Sequence, residues 1–206
     1  FASVANFTSS QLYSTKSYQN ANLSGVNFSS LNLSGWDFQD MNLNGATFNS
    51  ANLTNCDFRN TKNFVLPSNA TTKNTILADG TIKNFSISSS APVEINAAAV
   101  HAKFAANANV SSSSNLVLNE GAQLDITSNS TLTIDDTSSL TMNLSDTDNT
   151  AINLESGSSL VFKNGAKLYL NIDRPASSDI SYNIIKLKNG ATLEGFELMN
   201  LSGYIA

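Results

Sequence analysis

A repeat of five residues runs without a break through residues 21–60 of this chain of 206 residues. Its third position is always apolar, its first position is apolar as well, and its second is Asn, Asp or Thr. The third-position residues alternate between Leu and Phe: Leu23, Phe28, Leu33, Phe38, Leu43, Phe48, Leu53 and Phe58. A period of five matches neither an α-helix nor the alternation of a flat strand. The chain must therefore turn a corner every five residues, which describes a square coil.

Eight in-phase units with a polar residue before a central Leu or Phe resemble the pentapeptide-repeat family. That resemblance implies a right-handed quadrilateral β-helix with the first and third residues inside. It also implies four units per coil, so residues 21–60 would make two coils. The first positions depart from the family, because Val26, Leu31, Trp36 and Met41 stand where a small residue is usual. We expect these units to widen the coil or to face a capping segment.

The segment before the pentapeptides is expected to cap them. Residues 1–20 are out of phase with the repeat, and Phe7, Leu12, Tyr13 and Tyr18 are available for one face of a short helix or turn. A solenoid needs such a cap because its terminal coil otherwise exposes apolar side chains and unpaired backbone groups. We predict an N-terminal cap over residues 1–20 and C-terminal strands or a cap over residues 173–206.

A second, longer repeat follows a transition over residues 61–80. Pairs of apolar residues two positions apart recur at eight-residue spacing, and each pair predicts a short strand with two inward side chains. Phe85/Ile87 and Val93/Ile95 keep this spacing between themselves. It then runs through Val100/Ala102, Ala108/Val110, Leu116/Leu118, Leu124/Ile126, Leu132/Ile134 and Leu140/Met142, and resumes after a slip of four residues at Ile152/Leu154, Leu160/Phe162 and Leu168/Leu170. This pattern predicts a β-helix over residues 81–172. It resembles the passenger-type β-helices of bacterial surface exoproteins and autotransporters, which implies three faces per coil; a β-sandwich is the rival fold.

Together the two repeats predict an all-β protein. The resemblances imply a right-handed β-solenoid in which quadrilateral pentapeptide coils continue into a β-helix, and we expect short caps at the ends. No coil can bury its own faces, so stacking of neighbouring coils has to supply the core. Each interior Leu, Ile or Phe contributes about 1.5 to 3 kcal/mol on burial. Beyond the third-position residues, the predicted core comprises Leu116, Leu118, Leu124, Ile126, Leu132, Ile134, Leu140, Leu160, Phe162, Leu168 and Leu170.

Composition argues against several classes of partner. Charged residues are 13% of the chain and the formal net charge is −5. The two arginines, Arg59 and Arg174, have no lysine cluster beside them, so no basic patch for nucleic acid is expected. One cysteine, Cys56, and one histidine, His101, are too few for an ordinary zinc site. No run of about 18 apolar residues is present. We therefore expect no cofactor, no nucleic-acid partner and no membrane span.

Few residues are candidates for chemistry. The carboxylates at Asp135-Asp136 and at Asp146 and Asp148 are of the type that holds Ca²⁺, but both clusters fall where solvated turns are expected. We expect His101 to lie on the surface and Cys56 to be a buried, unreactive thiol. Trp36 is a candidate for stacking on sugars, although its position in the repeat favours packing. No catalytic, cofactor-binding or metal-binding residue is predicted.

These features favour a non-catalytic structural protein, a stalk, sheath or fibre subunit that stacks head to tail on itself. Ser, Thr and Asn exceed a third of the residues, a composition that resembles exported bacterial surface proteins and favours secretion or a cell-surface location. The start at Phe1 fits a cleaved signal peptide and a shortened chain equally well. The alternative is an adhesin or glycan-binding module that recognises surface polysaccharide. A nucleic-acid mimic of the topoisomerase-protecting kind would need a longer, more negative rod. A polysaccharide lyase or hydrolase would need clustered carboxylates or basic groups on one face.

Overall fold

The computed structural model describes residues 7–88, 91–145, 150–173 and 183–195. Across these ranges the chain forms two short helices, α1 (Ser9–Tyr13) and α2 (Lys16–Gln19), and a series of short strands stacked in parallel layers. The prediction of an all-β solenoid is confirmed. Neither helix in the described ranges is long and apolar enough to cross a membrane.

Helices α1 and α2 cover the first pentapeptide coil. Thr8 begins α1 with a capping box: its hydroxyl accepts from the backbone N–H of Gln11, and its own N–H donates to the Gln11 side chain at 2.9 Å. Thr15 accepts from the backbone N–H of Tyr18 at the start of α2. Leu12 is buried in the same cluster as the pentapeptide core. The two helices therefore shield apolar side chains that the first coil would otherwise expose.

Each pentapeptide forms one side of a square coil. Parallel bridges join Asn22 to Asn42, Asn27 to Thr47, Asn32 to Asn52 and Asp37 to Asp57, and every one of these pairs is separated by four repeat units. Four units therefore complete one coil, as the resemblance to the pentapeptide-repeat family implies. The third-position side chains point into the coil, and all eight are at most 1% exposed.

The second and fifth positions of the repeat build the corners. In seven of the eight units, an Asn or Asp oxygen at the second position accepts the backbone N–H two residues later, which closes an Asx turn. The fifth position then has a positive φ in every unit, at Gly25, Gly35 and Gly45 and at the Ser, Asp and Asn residues of the other units. Gly, Asn and Asp tolerate this left-handed conformation best, which explains most of the choices at the fifth position.

A third coil continues over residues 61–80, the segment that the sequence indicated only as a transition. Lys62 pairs with Asn42 at the same separation as in the coils before it, whereas Thr71 pairs with Asn52 at a separation shorter by one residue. Because one residue is lost within this coil, the five-residue phase that made the first two coils readable disappears. The aromatic core continues nonetheless, since Phe64 stacks on Phe58 with ring centroids 3.9 Å apart.

A hairpin between β1 (Thr75–Ile76) and β2 (Ile82–Lys83) reverses the chain. Strand β1 pairs in parallel with the coil before it, through Asp57, whereas β2 pairs antiparallel with β1. The next coil then pairs in parallel with the returning chain, through Thr81 and Lys103. The chain therefore travels around the solenoid axis in opposite directions before and after the hairpin. The single sense of winding expected from the sequence changes here, because a tight turn replaces the corner that would have continued the coil.

Gly80 lies at the tip of this hairpin, against the first coil of the β-helix. Its φ is +86°, and a Cβ at this position would collide with the carbonyl oxygen of His101. At Gly35, the φ is a similar +76°, but a Cβ would meet nothing within 4 Å. We expect Gly80→Ala to lower the free energy of unfolding by clearly more than the about 1 to 2 kcal/mol of backbone strain expected for Gly35→Ala. Urea denaturation measures both losses, and equal losses would contradict a tight approach at the tip.

After the hairpin, the described chain forms three parallel sheets of four strands each. The strands are β3 (Val93–Ile95), β4 (Ala102–Phe104), β5 (Ala108–Val110), β6 (Asn115–Leu118), β7 (Gln123–Ile126), β8 (Thr131–Ile134), β9 (Ser139–Ser145), β10 (Ala151–Leu154), β11 (Ser159–Phe162), β12 (Lys167–Asp173), β13 (Ile185–Leu187) and β14 (Thr192–Glu194). Sheet A is β3-β6-β9-β12, sheet B is β4-β7-β10-β13 and sheet C is β5-β8-β11-β14. Every third strand returns to the same sheet, so three faces complete one coil.

The coils lengthen toward the C-terminus. Leu116 pairs with Leu140, and Leu140 pairs with Leu168 across a coil that is longer by four residues. The coil from Ile152 to Ile185 is five residues longer than the coil from Leu140 to Leu168. The extra residues lie between sheet A and sheet B, after β9 and after β12. The slip of four residues before Ile152 in the sequence is the first of these insertions.

Inward and outward residues alternate along the strands, and the inward residues of β6 to β11 are at most 4% exposed. Leu168 and Leu170, predicted as core, are only partly buried, because β12 ends its sheet within the described residues. The predicted pair Val100/Ala102 is wrong by two residues, since Ala102 and Phe104 are the inward residues of β4. Phe104 stacks on Phe85 at 5.2 Å, so the larger side chain fills the core while Val100 precedes the strand.

Candidate functional site at the junction of the two repeats

Cys56 is a buried thiol in the second pentapeptide coil, where the repeat places it. It is 0% exposed, and its Sγ donates to the carbonyl oxygen of Leu33 at 2.9 Å. Burial raises the pKa of Cys56 to about 12. A thiol that stays protonated and is shielded from solvent is a poor nucleophile.

We expect the native protein not to react with a thiol reagent such as DTNB at pH 8. In guanidinium chloride the unfolded chain should release one equivalent of chromophore, because Cys56 is the one cysteine of the chain. Reaction of the native protein at a rate close to that of the unfolded chain would contradict the burial of this thiol.

The carboxylates considered for calcium do not form a site among the described residues. Asp135 is paired with Lys163 across neighbouring coils, with 2.8 Å between Oδ1 and Nζ. Asp136 lies in the turn that follows β8, as expected. Asp146 and Asp148 lie outside the described residues. Within the described ranges, no group of three or more His, Cys, Asp or Glu residues is placed to hold a metal ion.

His101 and Trp36 both have structural contacts that explain their positions. His101 is on the surface, as predicted, with Nδ1 3.1 Å from a carboxylate oxygen of Asp125 in the next coil. Trp36 is 6% exposed and packs between Phe7, at a centroid distance of 5.6 Å, and Phe38, at 6.2 Å. Phe7 precedes α1, so Trp36 meets the capping segment where a small residue would leave a gap.

Arg59 is a fully buried guanidinium that the sequence analysis did not anticipate. Its Nε and Nη2 donate to the carboxylate of Asp57 at 3.0 and 2.6 Å. Nη2 also donates to the carbonyl oxygen of Asn96 at 2.7 Å, and Nη1 donates to that of Val100 at 3.2 Å. The side chain thus ties the second pentapeptide coil to the loop between β3 and β4. The available signal was its place in the repeat, because the fourth position is otherwise an uncharged polar residue.

Asp37 lies beside this ion pair, one coil earlier. Its backbone N–H donates to the hydroxyl of Tyr13 at 2.7 Å, and its carbonyl oxygen accepts from the hydroxyl of Tyr18 at 3.0 Å. The capping helices therefore hold this part of the coil in place. Burial raises the pKa of the Asp37 carboxyl, and the nearby Asp57 carboxylate raises it further, although the N–H of Gln39 opposes both.

A cleft of about 230 Å³ opens where these groups meet the first coil of the β-helix. Its walls include Trp36, Asp37 and Asp57 from the pentapeptide coils and Phe85 and Glu94 from the chain after the hairpin. Aromatic rings that alternate with carboxylates and amides suit a ligand with both apolar and hydroxylated surfaces, such as a sugar ring. The cleft brings aromatic and ionisable groups together around an open volume.

An asparagine ladder runs along the edge between sheets A and B. The side-chain amide of Asn119 donates to Asn96 at 2.7 Å, that of Asn143 to Asn119 at 2.8 Å and that of Asn171 to Asn143 at 2.8 Å. Each asparagine lies one coil after the previous one, so the side-chain amides supply hydrogen-bond partners to one another. The signal in the sequence is the spacing, since consecutive asparagines of the ladder are about one coil apart along the chain.

Residues 21–60 match the family model of pentapeptide repeats, in eight copies. A comparison with curated proteins finds no match for the chain. The fold and this match define the class: a β-solenoid repeat protein whose first coils are pentapeptide repeats.

Proposed function

We propose that this protein is a non-catalytic structural solenoid that acts outside the cell, as a stalk, sheath or spacer. The observation that supports this role best is the continuity of backbone pairing through the junction. In the column that starts at Asp37, eight backbone segments are stacked, and Lys186 is at the far end. At a spacing of about 4.8 Å per layer, the column is about 34 Å long. Such a stack holds two ends at a fixed distance.

The surface of this stack supports an extracellular location. Its outward positions are mostly Asn, Ser and Thr. Side-chain amides of successive coils form hydrogen bonds with each other along the axis, as between Asn32 and Asn52 and between Asn119 and Asn143. Few charges and many small hydroxylated residues also resemble the composition of exported bacterial surface proteins. The proposed partners are a second copy of the chain or a surface polysaccharide.

Protease shaving of intact source cells tests the location. If the protein is displayed on the surface, proteinase K should remove it from an immunoblot while a cytosolic marker persists. Protection until the cells are lysed would contradict the proposal. Incubation with a panel of polysaccharides tests the absence of catalysis, because a lyase or hydrolase would release new reducing ends and the proposed structural protein would not.

The junction cleft favours a second candidate function, binding of a glycan. Phe85 offers a partly buried ring and Glu94 an exposed carboxylate on the wall formed after the hairpin. A glycan array would identify a ligand, and Phe85→Ala and Glu94→Gln should each weaken its binding at least about tenfold. Glu155→Gln is the matched control, since Glu155 does not line the cleft. Loss of binding in the control alone, or no ligand on the array, would remove this candidate.

A further inference from the structure

The core is less covered at its C-terminal end than anywhere else in the β-helix. Ile172 pairs with Leu144 and Leu187 pairs with Leu154, so each pair occupies the same inward position in successive coils. Leu144 and Leu154 are 1% and 0% exposed, whereas Ile172 and Leu187 are 46% and 50% exposed. Strands β12, β13 and β14 are also the last described strands of their sheets. An apolar surface rimmed by strand edges is a template for pairing with another chain.

Strand β12 is self-complementary when it is read against itself in the antiparallel direction. Its sequence, Lys167 to Asp173, is centred on Leu170. In an antiparallel pair centred there, Lys167 lies opposite Asp173, Leu168 opposite Ile172 and Tyr169 opposite Asn171. Residues of opposite charge therefore share a register position at both ends of the pair, and apolar residues share the inward positions. A shift by one residue would face inward residues against outward ones, and a shift by two would separate Lys167 from Asp173, so this register is favoured.

From this complementarity we infer that the C-terminal coil is a two-fold interface between two copies of this chain. A two-fold axis through the middle of β12 relates sheet B of one copy to sheet C of the other. Strand β13 then lies against β14 of the second copy, which brings Lys186 near Glu194 of that copy, again with opposite charges. An interface of this kind is isologous, so each contact occurs twice.

The N-terminal end offers no matching surface for this coil among the described residues. Helices α1 and α2 lie over the first pentapeptide coil, and Leu12 of α1 is 1% exposed where it packs against that coil. Stacking head to tail would require these helices to move, whereas pairing of two C-terminal ends requires no rearrangement of the described residues. Because both copies use the same C-terminal surface, assembly stops at two copies. The product is a dimer about twice as long as one chain, and not a filament.

Sedimentation velocity of the full chain between 1 and 100 µM tests this interface. Expected is a concentration-dependent species of twice the 21.9 kDa chain mass. Lys167→Asp places two acidic residues opposite each other at both ends of β12 and should weaken the dimer at least about tenfold. The double variant Lys167→Asp/Asp173→Lys restores opposite charges and should restore the dimer.

Lys163→Asp is the matched control, because Lys163 is paired with Asp135 and lies outside the three terminal strands. It should leave the dimer unchanged, and far-ultraviolet circular dichroism of all variants checks that the fold persists. A monomer at 100 µM would overturn the inference, as would a dimer that Lys167→Asp leaves unaffected. A monomer would indicate that residues of the same chain cover the C-terminal coil.

Discussion

Replacement of Arg59 by Met is expected to destabilise the protein by about 3 to 5 kcal/mol, because it leaves the Asp57 carboxylate without its cation in a buried setting. Asp57 is 8% exposed and Arg59 is 0% exposed. The variant also removes the donors that hold the carbonyl oxygens of Asn96 and Val100. Urea denaturation followed by circular dichroism measures the loss. A second transition at low urea would further show that the β-helix separates from the pentapeptide coils.

Lys188→Met provides the matched control for this ion pair. Lys188 is paired with Glu155 at 2.6 Å, but its side chain is 62% exposed. Exposed ion pairs contribute less than about 1 kcal/mol, so this variant should have nearly the stability of the parent. Similar losses in Arg59→Met and Lys188→Met would show that the buried pair does not hold the junction together.

Phe48→Ala is expected to cost about 3 to 5 kcal/mol as well, because it empties the centre of the aromatic core. The Phe48 ring lies 5.1 Å from that of Phe28 and 5.5 Å from those of Phe58 and Phe64, measured between centroids. These rings belong to all three coils before the hairpin, so their neighbours cannot close the cavity without shifting the stack. Thermal and urea denaturation measure the effect.

Two controls separate cavity formation from a general sensitivity to substitution. Phe48→Leu keeps a residue that the repeat already uses at alternate third positions and should cost less than about 1.5 kcal/mol. Val65→Ala alters a side chain that is 77% exposed and should change stability by less than about 0.5 kcal/mol. A loss in Phe48→Leu as large as that in Phe48→Ala would indicate that ring stacking, and not volume, dominates this core.

The first two coils could be predicted almost completely from the sequence. Their pairings recur at a fixed separation of four repeat units, and each corner is encoded locally by the Asx turn and a left-handed residue such as Gly25. The third coil could not be predicted, since the loss of one residue before Thr71 breaks the phase that made its predecessors visible. The hairpin was also missed, because Gly80 and its neighbours are equally compatible with a corner that continues the coil.

The residues of the junction were harder to predict than the core. Arg59 contacts Asn96 and Val100, which are far from it along the chain. Neither the repeat nor the composition indicates such a long-range contact. Val100, which the sequence placed in a strand, belongs instead to the loop before β4 and accepts from Arg59. The asparagine ladder was detectable in principle, yet its spacing becomes meaningful only once the coil lengths are known.

The stacked architecture also determines how the protein would respond to a pulling force. In the parallel stack, backbone pairing joins consecutive coils, so each described coil is held mainly by its two neighbours, and Arg59 adds a side-chain link that passes over the third coil. Tension applied to the two termini would then peel coils away in turn, each lengthening the chain by about 70 to 100 Å. The protein would yield in a series of small steps, and the coils joined through Arg59 would be among the last to release.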